Sequence, residues 1–181
     1  LPAQAQVTIT VSAATGGQVE RLTNGGFEAG SSGWVQSGNA AFITTSLPNS
    51  RTGVGYSYYG ADSTGTRINN GSGAIYQTVT IPSSATSATL NFWLSVSSDE
   101  TTTTTPYDFL RIEILNSTGT LLATLATYSN LDKTSTVIYG QKSFNVTAYK
   151  GQTIRVQFRV TTDFDKTTVF RVDDVNLMSD G

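Results

Sequence analysis

Apolar residues recur along this chain at every second position, with Thr, Ser, Asn or a charged residue between them. That is the period of a half-buried strand, because successive side chains of a strand point to opposite faces. The pattern predicts strands at Val7-Ile9-Val11, over 74–81 (Ile75, Val79, Ile81), at Leu90-Phe92-Leu94-Val96, and over 109–115, 121–128 and 143–146. Ile154-Val156-Phe158-Val160 is the cleanest alternation, and the last segment, 168–177, carries Phe170, Val172, Val175 and Leu177. Turn residues separate these runs: Asn24-Gly25-Gly26, Asn70-Gly71-Ser72-Gly73, Pro82-Ser83-Ser84, 116–119 and Lys150-Gly151. Thr101 to Thr105, closed by Pro106, read as an exposed loop, since proline holds its predecessor extended. No dozen residues carry a helical stripe. About ten strands with frequent turns predict an all-β fold, an antiparallel two-sheet jelly-roll β-sandwich. Residues 1–20 read as an N-terminal tail, linker or added edge strand, and 21–181 as one ligand-binding module.

Composition narrows the function classes. The 181 residues are 38% apolar and only 13% charged, with 30 threonines and 20 serines in place of the missing charges. There is no Cys and no His, which removes Ser-His-Asp and Cys-His catalysis, thiolate or imidazole zinc sites, and the usual haem and iron–sulfur ligation. Eleven basic against 13 acidic residues leave no basic footprint for nucleic acid. No apolar run approaches the ~18–20 residues of a membrane-spanning helix. Leu1-Pro2-Ala3-Gln4-Ala5-Gln6 has the small-x-small form that ends a secretory signal, so a secreted or cell-surface location is expected.

The few acidic residues are placed informatively. Glu28 follows the Gly-rich turn 24–26, and Asp173-Asp174 sit where the alternation slips by one residue between Val172 and Val175. Such a slip predicts a bulge that re-aims a carboxylate. A carboxylate turned inward needs a cation or N–H donors. Calcium, with carbonyls such as that of Gly26 completing its shell, is one answer. The other is that Asp173 and Asp174 accept turn or backbone N–H bonds while Glu28 stays on the surface. A second acidic group, Glu100, Asp108 and Asp163, converges if the strands 107–115 and 154–163 are neighbours. It would then hold a second calcium ion, act as an acid/base pair, or simply solvate its loops.

Asn24-Gly25-Gly26-Phe27-Glu28, Gly33-Trp34, Tyr76-Gln77-Thr78-Val79, Leu90-Asn91-Phe92-Trp93 and Val172-Asp173-Asp174-Val175, in this order over residues 22–178, resemble the galactose-binding-like jelly-roll modules. These include carbohydrate-binding modules of the family 4/9/22 type and domains appended to secreted bacterial peptidases. Glu100, Tyr107-Asp108, Tyr149-Lys150-Gly151-Gln152 and Asp163 are closer to the peptidase-appended branch. The resemblance implies a structural calcium ion joining the first and last strands, held by Glu28 and Asp173, a carbonyl at Gly26 and one near 51–53, with Asp174 as the alternative ligand. It also places Trp34 and Trp93 in or beside the core.

A sugar ring packs its C–H face on an aromatic ring and hydrogen-bonds around its rim. Tyr56, Tyr58 and Tyr59, with Arg51 nearby, are the candidate ligand-binding residues; Tyr56 and Tyr58 share one strand face. The expected function is a non-catalytic, calcium-stabilised, monomeric binding module whose partner is a polysaccharide or other glycan. The alternative is a structural or protein-interaction accessory domain that docks on a neighbouring catalytic domain.

Overall fold

A computed structural model describes residues 17–181. The strand expected at Val7-Ile9-Val11, and most of the 1–20 segment, lie outside the described residues. Eleven strands form among the described residues: β1 (Val19–Glu20), β2 (Val35–Gly38), β3 (Ala41–Thr44), β4 (Tyr56–Tyr59), β5 (Ser72–Thr80), β6 (Ala88–Ser98), β7 (Phe109–Asn116), β8 (Leu121–Ser129), β9 (Gly140–Asn145), β10 (Thr153–Thr161) and β11 (Thr168–Ser179). Two single-turn 3-10 segments are the only helical structure among the described residues, and no helix there is long and apolar enough to cross a membrane.

The strands build two antiparallel sheets. One runs β3-β4-β11-β6-β9, with β1 added on the far end of β11; the other runs β2-β5-β10-β7-β8. From β4 to β7 the chain changes sheet at every step, and it does so again from β8 to β11. This is jelly-roll connectivity in a two-sheet sandwich. The alternation read from sequence decides which face of each strand is inside. Leu90, Phe92, Leu94 and Val96 of β6 and Phe170, Val172 and Leu177 of β11 meet Ile154, Val156, Phe158 and Val160 of β10 and Leu110, Ile112 and Ile114 of β7. Phe158 lies at the centre, edge-on to Phe92 at 5.2 Å and tilted against Tyr59 at 6.3 Å and Trp34 at 6.5 Å. Fully burying one such side chain stabilises by ~1.5–3 kcal/mol, so this shared interior holds the sheets together.

The short strands β2–β4 have little alternation of their own. Asn24 organises the turn that precedes them. Its side chain donates to the Gly30 and Ser32 carbonyls, at 2.9 and 3.0 Å, and accepts from Ala29 N, while the Trp34 indole N–H donates to its carbonyl. Phe27 is then driven to zero exposure against Trp34, although its φ is +58°. The register of β11 against β6 shifts between Asp173 and Asn176, with Asp174 at φ +49°; this is the bulge that the slipped alternation predicts.

Candidate functional site

Three features on this frame carry candidate chemistry. The first is on the outer face of the six-stranded sheet. Tyr58 of β4 pairs with Phe42 of β3 and with Arg171 of β11, so the three side chains share the face away from the core. Tyr56, two residues earlier, joins them at 5.9 Å between ring centroids. Pro48, Asn49 and Arg67 complete a recess of ≈ 160 Å³. Both tyrosines are 2–3% exposed, and their hydroxyls donate to the backbone, Tyr56 to the Pro48 carbonyl at 2.9 Å and Tyr58 to that of Asp62 at 2.6 Å. Burial raises the pKa of Tyr56, with Arg171 opposing, and pushes that of Tyr58 up to about 12. Both rings are therefore neutral walls of the recess, not an open stacking platform. Tyr59 faces the other way, fully buried, with its hydroxyl on Ser57 Oγ, and presents no surface to a ligand. Arg171 donates from Nη1 to Ser97 Oγ and leaves Nε without an acceptor.

Arg51 lies apart from this recess, its guanidinium 3.7 Å from the centroid of the Trp93 ring. Trp93 is the residue that sequence reading misplaced. It pairs with Asp173 and with Gln141 and is half-buried on the outer face of the sheet, whereas Trp34 is in the core. The signal was present, because Phe92 and Leu94 inside put Trp93 outside.

The second feature joins the chain ends. The loop 50–55 turns its N–H groups toward two carboxylates. Glu28, exposed, accepts from Val54 N at 3.1 Å and Gly55 N at 2.9 Å. Asp173, at zero exposure, accepts from Arg51 N at 2.8 Å, Thr52 N at 3.2 Å and Asp174 N at 2.7 Å. Asp174 takes the Arg51 guanidinium at 2.5 Å and the Thr52 hydroxyl at 2.7 Å. Gly25 accepts from Val175 N, tying the first turn directly to the bulge, and Gly26 lies beside Asp174. Glycine is required in this loop: a Cβ on Gly55 would overlap the Phe27 carbonyl, and one on Gly53 (φ +55°) would overlap the Glu28 carboxylate. Burial pushes the pKa of Asp173 up to about 6 against its three N–H bonds. Backbone N–H groups thus face Glu28 and Asp173, while a guanidinium and a hydroxyl face Asp174.

The third feature is the second acidic group. β7 and β10 are neighbours, and Glu100, Asp108 and Asp163 each bring a carboxylate oxygen within 4.8 Å of the others. They come from three loop ends: the exit of β6, the entry to β7 and the exit of β10. Asn130, fully buried and not anticipated from sequence, braces the middle one by accepting from Tyr107 N and Asp108 N and donating to the Thr105 carbonyl. It is held in turn by a capping box between Ser129 and Asp132.

Comparison with known proteins gives the fold its setting. No family model and no curated protein matches the chain. Among solved structures, TmCBM61 in complex with β-1,4-galactotriose superposes with a TM-score of 0.63 at 18% identity, over 88% of this chain and 97% of that one. The K1 cleaved adhesin domain of Lys-gingipain from Porphyromonas gingivalis W83 gives 0.62 at 14% identity, over 92% and 100%. A cyclase from Fischerella sp. TAU gives 0.57 at 15%, over 90% and 97%. At these identities the likeness is one of fold: the chain is a β-sandwich of the kind shared by a carbohydrate-binding module and a peptidase's adhesin domains.

Proposed function

We propose that this chain is a non-catalytic glycan-binding module of a secreted or cell-surface protein, with the recess at Tyr56, Tyr58 and Arg171 as its ligand site. The two tyrosine walls beside the unpaired Arg171 Nε, with Asn49 and the Asp99-paired Arg67 at the lining, carry the reading. A recess with apolar walls and a few polar groups at its lining suits a sugar held at its edge, with hydroxyls toward the polar groups. Its ≈ 160 Å³ falls below the ~300–1,000 Å³ of pockets for drug-sized ligands, so the occupant is one sugar ring or a chain end. The likeness to TmCBM61, which was solved with a galactotriose, supports the ligand class.

Carboxylate chemistry does not favour an enzyme. The Glu100–Asp108–Asp163 oxygens lie within 4.8 Å and two of the three residues are buried, whereas glycosidase pairs stand about 5–9.5 Å apart on either side of an open bond.

A calcium ion at the chain ends belongs to the same proposal. Glu28, Asp173 and Asp174 all face the loop 50–55, only Asp174 is ion-paired, to the Arg51 guanidinium, and a cation would relieve the burial that raises the Asp173 pKa. Glu28 and Asp173, with Gly26 and Asp174 beside them, would hold it. Its contribution there is to clamp the first turn to the last strand.

The test is depletion of the module by a panel of insoluble and soluble polysaccharides, in millimolar calcium and in EDTA. Retention on one glycan class, weakened about tenfold or more by Tyr58→Ala or Arg171→Ala, is expected. Absence of retention on every glycan overturns the reading. It would favour the accessory role instead, which the likeness to the gingipain adhesin domain supports.

A further inference from the structure

The carboxylates of Glu100 and Asp108 stand in an unusual position for buried acids: almost nothing in the protein answers them. Glu100 is 5% exposed and Asp108 fully buried. Asp108 Oδ1 accepts one bond, from Asp163 N at 2.9 Å, while Oδ2 is buried with no partner. The Thr168 hydroxyl, 2.8 Å from Ser98 Oγ with either atom able to donate, stands close enough to Asp108 to oppose part of the rise that burial imposes on its pKa. No hydrogen bond reaches the Glu100 carboxylate among the described residues; its neighbour Lys133 donates to the Glu100 backbone carbonyl instead. Lys166 is the one cation whose charge acts favourably on Glu100, and its ammonium contacts Thr101 Oγ1, not a carboxylate. Asp163, partly buried, accepts from Asp165 N. Desolvation raises the pKa of both Glu100 and Asp108, and their mutual charges with Asp163 add to it.

Local backbone cannot repair this. The N–H of Glu100 is spent on Ser98 Oγ, those of Thr104 and Thr105 on Thr102 Oγ1, and those of Tyr107 and Asp108 on Asn130 Oδ1. Pro106 has none to give. These five donors are spent away from the carboxylates, and three anionic oxygen groups are left facing one another. An unpaired buried carboxylate costs several kcal/mol, and a chain that keeps three together needs a positive charge between them.

We propose that Glu100, Asp108 and Asp163 form a binding site for a calcium-sized divalent cation, separate from the chain-end clamp. Geometry supports the ion. Oxygens bound at 2.3–2.6 Å to one calcium are at most about 4.6–5.2 Å apart, and these three lie within 4.8 Å of one another. All-oxygen, carboxylate-rich coordination is the chemistry of a hard cation. The ion pins the exits of β6 and β10 to the entry of β7 and so closes the threonine loop over one end of the sandwich.

Calorimetric titration of the whole chain with calcium chloride, repeated with terbium, tests this. Wild type is expected to bind two ions if the chain-end clamp is also real and one if it is not. The Glu100→Gln/Asp108→Asn double variant binds one fewer in either case, while Asp173→Asn leaves the ion at this cluster in place. Wild-type melting temperature rises roughly 5–10 °C between EDTA and calcium at a hundredfold excess over Kd from this site alone. In EDTA the double variant melts at or above wild type, because two uncompensated charges are gone. Should that variant fold poorly, Asp163→Asn on the partly exposed turn gives the same loss of one ion. Equal ion counts in wild type and both cluster variants overturn the site. If wild type binds a single ion, and that ion survives in the double variant and disappears in Asp173→Asn, the cluster site is overturned while the clamp stands.

Discussion

Two groups of three acidic residues, Glu28-Asp173-Asp174 and Glu100-Asp108-Asp163, look alike in composition and differ in what faces them. At the chain ends, a glycine-containing loop presents four of its N–H groups, a hydroxyl and a guanidinium to the carboxylates. At the other group, a threonine loop closed by proline spends the N–H groups of Glu100, Thr104, Thr105, Tyr107 and Asp108 elsewhere, one N–H, from Asp163, reaches Asp108 Oδ1, and Asp108 Oδ2 has nothing. The contrast teaches that the number of buried carboxylates says little about cation binding. The donors that the adjoining loop has left unused decide it. Hydrogen bonds to a charged group are worth roughly 1.5–3 kcal/mol each, so the first group is largely compensated by protein and the second is not.

The largest effect that sharpens this comparison is expected from Asp173→Ala. It removes a buried acceptor of three N–H bonds and frees Arg51 and Thr52 N from the bulge. A loss of about 3–5 kcal/mol in urea unfolding is expected in EDTA, and a larger one in calcium, where the clamp ion is lost as well. A loss confined to calcium-containing buffer would mean that the N–H network contributes little and that the two groups are governed alike by the ion. Next comes chelation of wild type, worth about 2.7 kcal/mol at a hundredfold excess of ion over Kd, of which the Glu100→Gln/Asp108→Asn variant should lose the larger part. Third is Gly53→Ala, which places a Cβ in left-handed backbone against the Glu28 carboxylate. It should cost about 1–2 kcal/mol and leave ion binding at Asp108 unchanged. An unaltered melting temperature in that variant would show that the loop's fit to Glu28 is not what orders it.

Most of the frame was legible in the sequence. The long strands β5–β8, β10 and β11 follow the alternation within a few residues at each end, because a period-two pattern over eight or more positions admits one buried face. β2, β3 and β4 were not resolved in the same way: each is four residues long and its register comes from partners, Phe42 against Tyr58 and Val35 against Tyr76. The convergence of Glu100, Asp108 and Asp163 was conditional on β7 lying beside β10, and their pairing supplies that condition. What the sequence could not display is where donors go. Nothing in the residues around position 130 says that the Asn130 amide will consume the N–H groups of Tyr107 and Asp108. Likewise, nothing at Arg51 says that its main chain will serve Asp173 while its guanidinium covers Trp93. Such assignments depend on loops folding against one another across 20 to 120 residues of chain.

A fourth buried carboxylate tests the same rule by proton titration, with a smaller effect. Glu113, 2% exposed on the outer face of the five-stranded sheet, would be raised by burial alone. Instead Arg159 grips it at 2.5 and 3.0 Å, Gln157 donates at 2.9 Å, and with Arg111 nearby its pKa is held below the usual glutamate value. A depressed carboxylate stabilises the fold at pH above its unfolded value, about 4.3, and that contribution is lost as pH falls through the lower folded value. Glu113→Gln should therefore flatten the fall in urea midpoint below pH ~4 while leaving the calcium response of the melting temperature as in wild type. The half-exposed arginine screens the pair, which keeps the expected difference small. Parallel acid limbs in wild type and variant would mean that Arg159 and Gln157 do not compensate Glu113. Donor counting would then lose its force at Asp108 as well, since both conclusions rest on the premise that a buried carboxylate is governed by the donors left to face it.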